Sequence, residues 1–451
     1  MASPLPKLQI YDAIVLGSGQ AGNPLAIALS KAGQKTALVE REHLGGCSAN
    51  EGSAPSKTMI ASGKVAHVVR HAHGSHSDVS VDLRAIQRRK RDVVNAVRSA
   101  TDSALIEAGV DVLLGEASFA AAGVPPTVIV RLFNGGELHL RASNVFINTG
   151  ARPSMPILDG IETLRAPELV SSSSVMDMHA VPDHLLVLGG GYVGVEFAQL
   201  MRRLGARVTI VQRAAQLMPR EDEDISEAVT YILREDGVDV LLASTATSVA
   251  SPRRGRVELL VRTSDGVDRV LSGSTLLVAT GRTPNADILK LRGVGVARTS
   301  TGHIHVNEFC ETFDDYRVVS HNVLHPDEVP KSRFGRLVPY TLFMDPPLAH
   351  VGLHEHTARQ AGLSIRVAMM PMSSVARAVE SGDSRGIIKA IVDADTDRII
   401  GFTCLGVEGG ELMNTIQAAI LGHLKYQVLR DAVWSHPTLG EALNNLWDTL
   451  H

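Results

Sequence analysis

One pattern governs what this chain can fold into, and it occurs twice. The apolar run Asp12-Ala13-Ile14-Val15-Leu16 reads as a buried strand, followed by Gly17-Ser18-Gly19-Gln20-Ala21-Gly22 and an apolar helical stretch to about Ala32. A second strand, Thr36 to Val39, then ends at Glu40. Strand, glycine turn, helix, strand and acid together form the dinucleotide-binding signature. Gly17 permits the tight turn, Gly19 lets backbone approach a pyrophosphate, and Gly22 lets the helix sit close on the strand. The helix N-terminus then faces the phosphates, and Glu40 is placed to accept from ribose hydroxyls. The unit recurs with strand His184–Leu188, turn Gly189-Gly190-Gly191-Tyr192-Val193-Gly194 and a helix to about Leu204. Its second strand, Arg207 to Val211, ends at Gln212-Arg213 rather than at an acid. An acid there would hold the 2′-hydroxyl of NAD, whereas Arg213 accommodates a 2′-phosphate, so the second site is expected to prefer NADPH over NADH. The expected class is α/β, with two Rossmann-like domains that imply two dinucleotides or a diverged remnant of such a pair.

Composition narrows the role. Of 451 residues, 44% are hydrophobic, only 4% are aromatic, and glycine numbers 40, which suits a large α/β core. Lysine plus arginine is 44 against 48 acids, a net charge of −4, which argues against coating a nucleic acid. No apolar run reaches the roughly 18 residues of a membrane span, and Met1 to Asp12 lacks the pattern of a secretory leader. Three cysteines, Cys47, Cys310 and Cys404, are too few and too scattered for a disulfide scaffold and fit a reducing, cytoplasmic setting. The basic run Arg88-Arg89-Lys90-Arg91 is expected on the solvated face of a helix from about Leu83 to Ala108, and Ser171 to Ser174 in a surface linker. After about Arg336 the pattern changes. Ile365–Pro371, Gly386–Val392 and Arg398–Leu405 read as antiparallel strands. Helices about Gly409–Gly422 and Gln427–Ala432 and one from Leu439 follow, making a third, α+β domain without a nucleotide motif.

These residues resemble the flavin-dependent pyridine nucleotide–disulfide oxidoreductases, class I, in the mercuric-reductase-like and dihydrolipoamide-dehydrogenase-like branch. The resemblance runs through both glycine turns, Thr149-Gly150-Ala151-Arg152-Pro153, Ala279-Thr280-Gly281-Arg282-Thr283-Pro284-Asn285, Pro339-Tyr340-Thr341 and His436-Pro437-Thr438 with Glu441. It implies an FAD-binding domain over 1–155 and 271–330, an NAD(P)-binding domain over 156–270, and a dimerisation domain over 331–451 that makes a homodimer with shared active sites. It implies FAD contacts from Gly17, Gly19, Gly22, Glu40, Gly46, Lys57, Thr149, Gly150, Gly281 and Arg282. NAD(P) contacts are implied for Gly189, Gly191, Gly194 and Arg213.

The family passes a hydride from NAD(P)H to flavin and then to a cysteine pair in a Gly-Gly-Thr-Cys-x-Asn-x-Gly-Cys-x-Pro-Ser/Thr-Lys segment. This chain keeps that frame from Gly45 to Lys57 but has Ser48 and Ser53 at the two redox positions. A serine hydroxyl forms no disulfide and is far harder to deprotonate than a thiol, whose pKa is about 8.5. Cys47 stands where the family has threonine and is expected to pack in its place. Lys57 and Glu196 match a pair near the flavin's reactive edge, and His436 with Glu441 matches the acid–base dyad that reaches the partner's site. A second departure lies between Thr312 and Phe313. There the family places a strand ending in Gly-Asp, whose aspartate binds the ribityl chain, and the start of the next helix. This chain runs straight on, leaving only Asp314 or Asp315 as replacements.

The reading is an NAD(P)H-dependent, FAD-type oxidoreductase that passes electrons from flavin directly to a small acceptor. The alternative is a non-redox or FAD-free descendant that keeps the scaffold as a nucleotide-binding regulatory protein or repurposes the pocket.

Overall fold

The computed structural model describes residues 8–71, 80–120, 125–307, 316–332 and 334–451. Cys310, Thr312, Phe313, Asp314 and Asp315 lie outside the described residues, and so does the expected junction. The chain forms two compact units: Met1–Met59 with Arg84–Ser154 and Gly281–Gly335, and Ile60–Leu83 with Met155–Thr280 and Arg336–His451.

In the first unit, strands β1 (Leu8–Leu16), β2 (Thr36–Glu40) and β3 (Asp111–Phe119) pair in parallel, and β5 (Glu137–Ile147) runs parallel to β1 on its other side. The antiparallel strand β4 (Thr127–Leu132) joins β3 back to β5 and closes the sheet into a small barrel. Both faces of β1 are buried. Ala13 and Val15 meet Leu25, Ala26 and Leu29 of helix α1 (Gly22–Lys31), while Ile14 and Leu16 meet Phe119, Val128, Val130 and Leu140. A strand covered on both sides has to be a continuous apolar run, which is why this one is so plain in the sequence.

Helix α2 (Gly46–Asn50) leads into α3 (Ser53–His71), and α4 (Leu83–Glu107) follows. Along α4, Gln87, Lys90 and Val94 are buried at helical spacing, so Lys90 lies on the inner stripe while Arg88, Arg89 and Arg91 are exposed. The expectation of a wholly solvated basic face is corrected at that residue. The helix Tyr316–Leu324 is present and sets Val319, Val323 and Leu324 against the α1 cluster. Beyond Arg141, β5 pairs only with β1. Asn144–Ile147 therefore have no second neighbouring strand among the described residues.

The second unit holds a parallel sheet in the order Val238–Leu241, Arg207–Val211, His184–Leu188, Thr275–Val278, Leu169–Ser171. Helices α5 (Tyr192–Leu204) and α6 (Glu223–Glu235) follow its glycine turn and its second strand. Ser171 thus ends a strand, and Ser174 Oγ accepts from Ser171 N at 2.9 Å, with Ser172 buried. The serine run is an ordered turn rather than a linker, because short side-chain oxygens can cap their own backbone. A three-stranded antiparallel sheet, Thr245–Arg253, Arg256–Arg262 and Asp268–Gly273, was not anticipated. The C-terminal part is a five-stranded antiparallel sheet in the order Tyr340–Leu342, Leu348–Gly352, Ile399–Leu405, Ile387–Asp393, Ile365–Pro371, with helix Gly409–Leu421 packed on it. Three of these strands match the expected segments to within a residue or so. The expected helix from Leu439 is a short turn, Ala442–Asn445, followed by a 3-10 turn.

A buried charge cluster ties α5 to the C-terminal part. Arg203, 4% exposed, bonds Asp345 at 2.5 Å and Asp236 at 3.1 Å. Arg385 also bonds Asp236, at 2.9 Å, and Lys64 bonds Asp345, at 2.8 Å. Burial opposes ionisation of Asp345, but the charges of Arg203 and Lys64 hold its carboxyl below the usual range. Its stabilising effect is therefore full at neutral pH and is lost as pH falls through that depressed value. Arg203→Met should destabilise this unit by about 3 kcal/mol, because it removes the buried cation shared by two carboxylates and leaves Asp236 only Arg385 and Asp345 only Lys64. Chemical denaturation at neutral pH checks this.

Candidate active site

The two glycine turns are built alike. Gly17 N donates to Val39 O at 2.8 Å, and Gly189 N donates to Val211 O at 2.9 Å, so each turn is pinned to the next strand. Both glycines take positive φ, +104° and +111°, and a Cβ on either would lie 2.2 Å from Asn148 O or 2.5 Å from Ala279 O. A Cβ on Gly22 would meet Gly17 O at 2.1 Å, and one on Gly194 would meet Gly189 O at 2.0 Å. Each helix is pressed onto its own turn, and its N-terminal amides open on the loop. Gly191, at the N-cap of α5, has open space where a Cβ would go, the room that an approaching phosphate needs.

The strand-end residues also correspond. Glu40 Oε2 accepts from Ser18 N at 2.8 Å and Oε1 from Glu42 N at 2.8 Å. In the second turn, Gln212 Oε1 accepts from Gly190 N at 3.1 Å while its amide donates to Gln216 O. Gln212 therefore does the acid's structural job without its charge, and Arg213 beside it is exposed.

In the first unit, the Gly45–Lys57 segment lies against the first turn. A Cβ on Gly46 would be 2.7 Å from Gly19 Cα, so two backbones touch there. Ser18 Oγ donates to Asn23 Oδ1 at 2.8 Å and accepts from Gly45 N at 3.0 Å. Asn50 Nδ2 donates to Leu44 O and Gly46 O, and Arg98 Nε donates to Asn50 Oδ1. Within this frame Ser48 Oγ and Ser53 Oγ are hydrogen bonded at 2.5 Å. Lys57 follows one turn along α3.

Cys47 is exposed, with its Sγ 3.3 Å from Arg282 Nη2, a guanidinium that also donates to Ala151 O. Thr149 and Gly150 are joined to Asn285, which donates from Nδ2 to Thr149 O at 2.9 Å and from N to Gly150 O at 3.0 Å. Gly281, at φ +126°, accepts from Ser154 N. Arg152 makes a two-pronged bond to Asp287, at 3.0 and 2.7 Å, which holds the Asp287 carboxyl below its ordinary range.

In the second unit, Glu196 is buried on α5 and its Oε1 accepts from Phe343 N at 2.8 Å. His436 Nδ1 faces Glu441 Oε2 at 2.8 Å, with the imidazole 67% exposed. A histidine oriented by a carboxylate through one nitrogen presents the other for proton transfer.

The sequence matches the pyridine nucleotide-disulphide oxidoreductase family over residues 11–317 and that family's dimerisation domain over 338–447. The chain belongs to this family. Over 97% of its length it is 34% identical to RclA of Escherichia coli (strain K12), a probable pyridine nucleotide-disulfide oxidoreductase, of which it covers 98%. It is 32% identical to a mercuric reductase of Streptomyces lividans, across 96% of this chain and 94% of that one. It is 28% identical to the dihydrolipoyl dehydrogenase of Bacillus subtilis (strain 168), across 96% of both. Among solved structures, E. coli RclA in complex with Cu(II) superposes with a TM-score of 0.86 at 32% identity, over 98% of this chain and 99% of that one.

The family binds FAD and NAD(P)H, and the two glycine cradles of this member fit such groups: the backbone leaves open space at Gly191, and at Gly19 a Cβ would meet only the side chain of Asn148, at 3.1 Å. Among the described residues no helix is long and apolar enough to cross a membrane.

Residues that the motifs passed over shape this family member's site as well. Asn148 Nδ2 donates to Gly17 O at 3.3 Å and faces Gly22, and its one sequence signal is its place directly before Thr149-Gly150. Ser18 and Asn23 carried no signal beyond lying in the turn. Gly22→Ala should destabilise the first unit by about 1–3 kcal/mol, since backbone rather than a flexible side chain must yield. Gly191→Ala should cost about 1 kcal/mol or less. Thermal melting of the two variants distinguishes a close-packed turn from an open one.

Proposed function

We propose that the protein is an NAD(P)H-dependent flavoprotein that passes electrons from FAD directly to a small acceptor, without a redox disulfide. The hydrogen-bonded Ser48–Ser53 pair carries the reading, since two hydroxyls stand at the positions that the resemblance assigns to the cysteines. They can hold a polar acceptor by hydrogen bonding but cannot store electrons. Bound flavin supplies the step from two-electron hydride donor to acceptor.

The chain's own residues do the rest. The first glycine turn, Gly46, Thr149, Gly150, Gly281 and Arg282 cradle FAD, with Glu40 at the ribose, and the second turn cradles the nicotinamide nucleotide. Lys57 tunes the flavin edge, and Glu196 is anchored by Phe343 N. His436, aligned by Glu441, delivers a proton across the homodimer. The domain division is proposed as FAD-type 1–155 and 271–330, NAD(P)-type 156–270 and dimerisation 331–451, in a cytoplasmic protein with no nucleic-acid or membrane partner.

Relatives bear on the acceptor. RclA was solved as a Cu(II) complex, also in a variant with one cysteine replaced by serine. An oxidised metal ion therefore joins quinones, dyes and oxygen in the first acceptor panel. That Asn144–Ile147 of β5 pair only with β1 among the described residues favours a second reading, a descendant that keeps the scaffold without FAD.

Absorption spectroscopy separates the two. The purified protein should be yellow and bleach anaerobically with NADPH, and Ser48→Ala with Ser53→Ala should keep the acceptor rate within about threefold. A colourless protein that takes up no added FAD rejects the first reading in favour of the second. For the nucleotide, Gln212 brings no charge to the ribose and Arg213 is free to meet a 2′-phosphate. Arg213→Ala should raise KM for NADPH about tenfold, the loss of one charge-assisted contact, and leave NADH unchanged. Equal losses with both cofactors would overturn the assignment.

A further inference from the structure

A cluster in the second unit, made of none of the residues of the glycine turns or the His436 dyad, has an unmet electrostatic demand. Glu221 comes from the turn before α6, and His350 and His354 come from strand Leu348–Gly352 and the turn after it. Glu221 and His350 are buried, and the His354 side chain is 14% exposed. One ligand atom from each of the three can be chosen so that all lie within 4.8 Å of one another.

The hydrogen bonds settle where the protons are. Tyr340 O–H donates to Glu221 Oε1 at 2.6 Å, so its oxygen can only accept from His354 Nε2, 3.1 Å away. His354 therefore carries its proton on Nε2 and a bare lone pair on Nδ1. That Nδ1 and Glu221 Oε2 are both buried without a hydrogen-bond partner, and they lie 3.9 Å apart. Two buried lone-pair atoms facing each other repel unless a donor or a positive species sits between them.

The side chains nearby do not supply one. Lys389 is taken up by Asp222 at 3.1 Å and by Asp224 and Glu355 at 2.7 Å, and His356 bonds Asp222 at 2.7 Å. Among the described residues Glu221 has no lysine or arginine partner.

His350 is prepared in the same way. Its Nε2 lies 3.1 Å from Gly352 O and must donate there, which leaves Nδ1 as an acceptor of the Thr403 hydroxyl at 2.8 Å. Metal-ligating histidines characteristically donate their other ring N–H to a backbone carbonyl or another fixed oxygen, as both rings do here. The rings stack at 3.7 Å and 7°, an arrangement that suits neutral imidazoles.

We propose that Glu221 Oε2 and His354 Nδ1 bind a divalent first-row transition-metal ion of the zinc class. His350 Nδ1 is the third ligand once the Thr403 hydroxyl turns away and the stacked rings open. Zinc bonds of about 2.0–2.1 Å to nitrogen and 2.0–2.2 Å to carboxylate oxygen together just span the gap. Two imidazoles and one carboxylate suit zinc, cobalt or nickel rather than magnesium or calcium. The ion would clamp the turn before α6 to the C-terminal sheet.

The test uses full-length protein stripped with a chelator and titrated with Co2+, followed by d–d absorption, metal content and melting temperature. None of these readouts depends on flavin or turnover. One Co2+ per chain with a nitrogen-ligand spectrum and a raised melting temperature is expected. Glu221→Gln and His354→Gln should each weaken binding by more than the roughly ten- to a hundredfold typical of outer-shell changes. Tyr340→Phe, which removes only the outer hydroxyl, should fall within that range, and His303→Gln, on an exposed turn, should change nothing. If either ligand variant fails to fold, His350→Asn carries the comparison and should also weaken binding. Wild-type protein that takes up no Co2+, or undiminished uptake in the folded ligand variants, overturns the proposal.

Discussion

Everything in the two nucleotide-type sheets depends on one steric condition: a helix must start directly above the strand that precedes it, with no Cβ between. At Gly22 and Gly194 the helix backbone comes so close to the turn that an added carbon would sit about 2 Å from a carbonyl oxygen. That closeness brings the N-termini of α1 and α5 to the end of the sheet, directly above their glycine turns. An anionic ligand at such a place meets both open donors and the positive end of the helix dipole. The strand-end side chains complete the design, since Glu40 and Gln212 each bind an amide of their own turn and hold the loop open. One geometry thus serves both turns, and the residues that hold them, Glu40 and Gln212, differ in charge.

The Gly45–Lys57 segment shows how a frame can persist when its chemistry changes. Its fold rests on Gly46 meeting Gly19, on Ser18 bridging to Gly45, and on Asn50 holding Leu44 O and Gly46 O. None of these contacts involves the side chains at 48 and 53. Serine can therefore occupy both positions, and the two hydroxyls simply bond each other. The segment's shape and its electron-storing capacity are independent properties.

Much of this was legible in the sequence, for identifiable reasons. Buried strands such as Ile14–Leu16 and Leu185–Leu188 are apolar on both faces, and positive-φ turns call for glycine, so both leave a local trace. The C-terminal strands were readable for the same reason. What was misread depended on partners distant in sequence. Lys90 sits in a basic run yet falls on the inner stripe of α4. The serines at 171–174 look like a linker and are held as a strand end with its cap. The Arg203 cluster gave no signal, and Asn148 none beyond its place directly before Thr149-Gly150, because their contacts join segments far apart in the chain.

By itself, the sequence determined the family, the α/β class, the two glycine turns and the absence of cysteine from positions 48 and 53, since each rests on residue type at fixed local spacing. Only the tertiary structure decided that Glu40 and Gln212 are structural counterparts, that Ser48 and Ser53 bond each other, and that Glu221 and His354 face across a buried gap. Those facts depend on where hydrogen-bonding atoms end up after distant segments pack, and proton positions follow from the whole network rather than from any one residue. A histidine in a sequence is only a potential ligand. A histidine whose other nitrogen is already committed, with its free lone pair turned toward a buried carboxylate, is one that folding has placed.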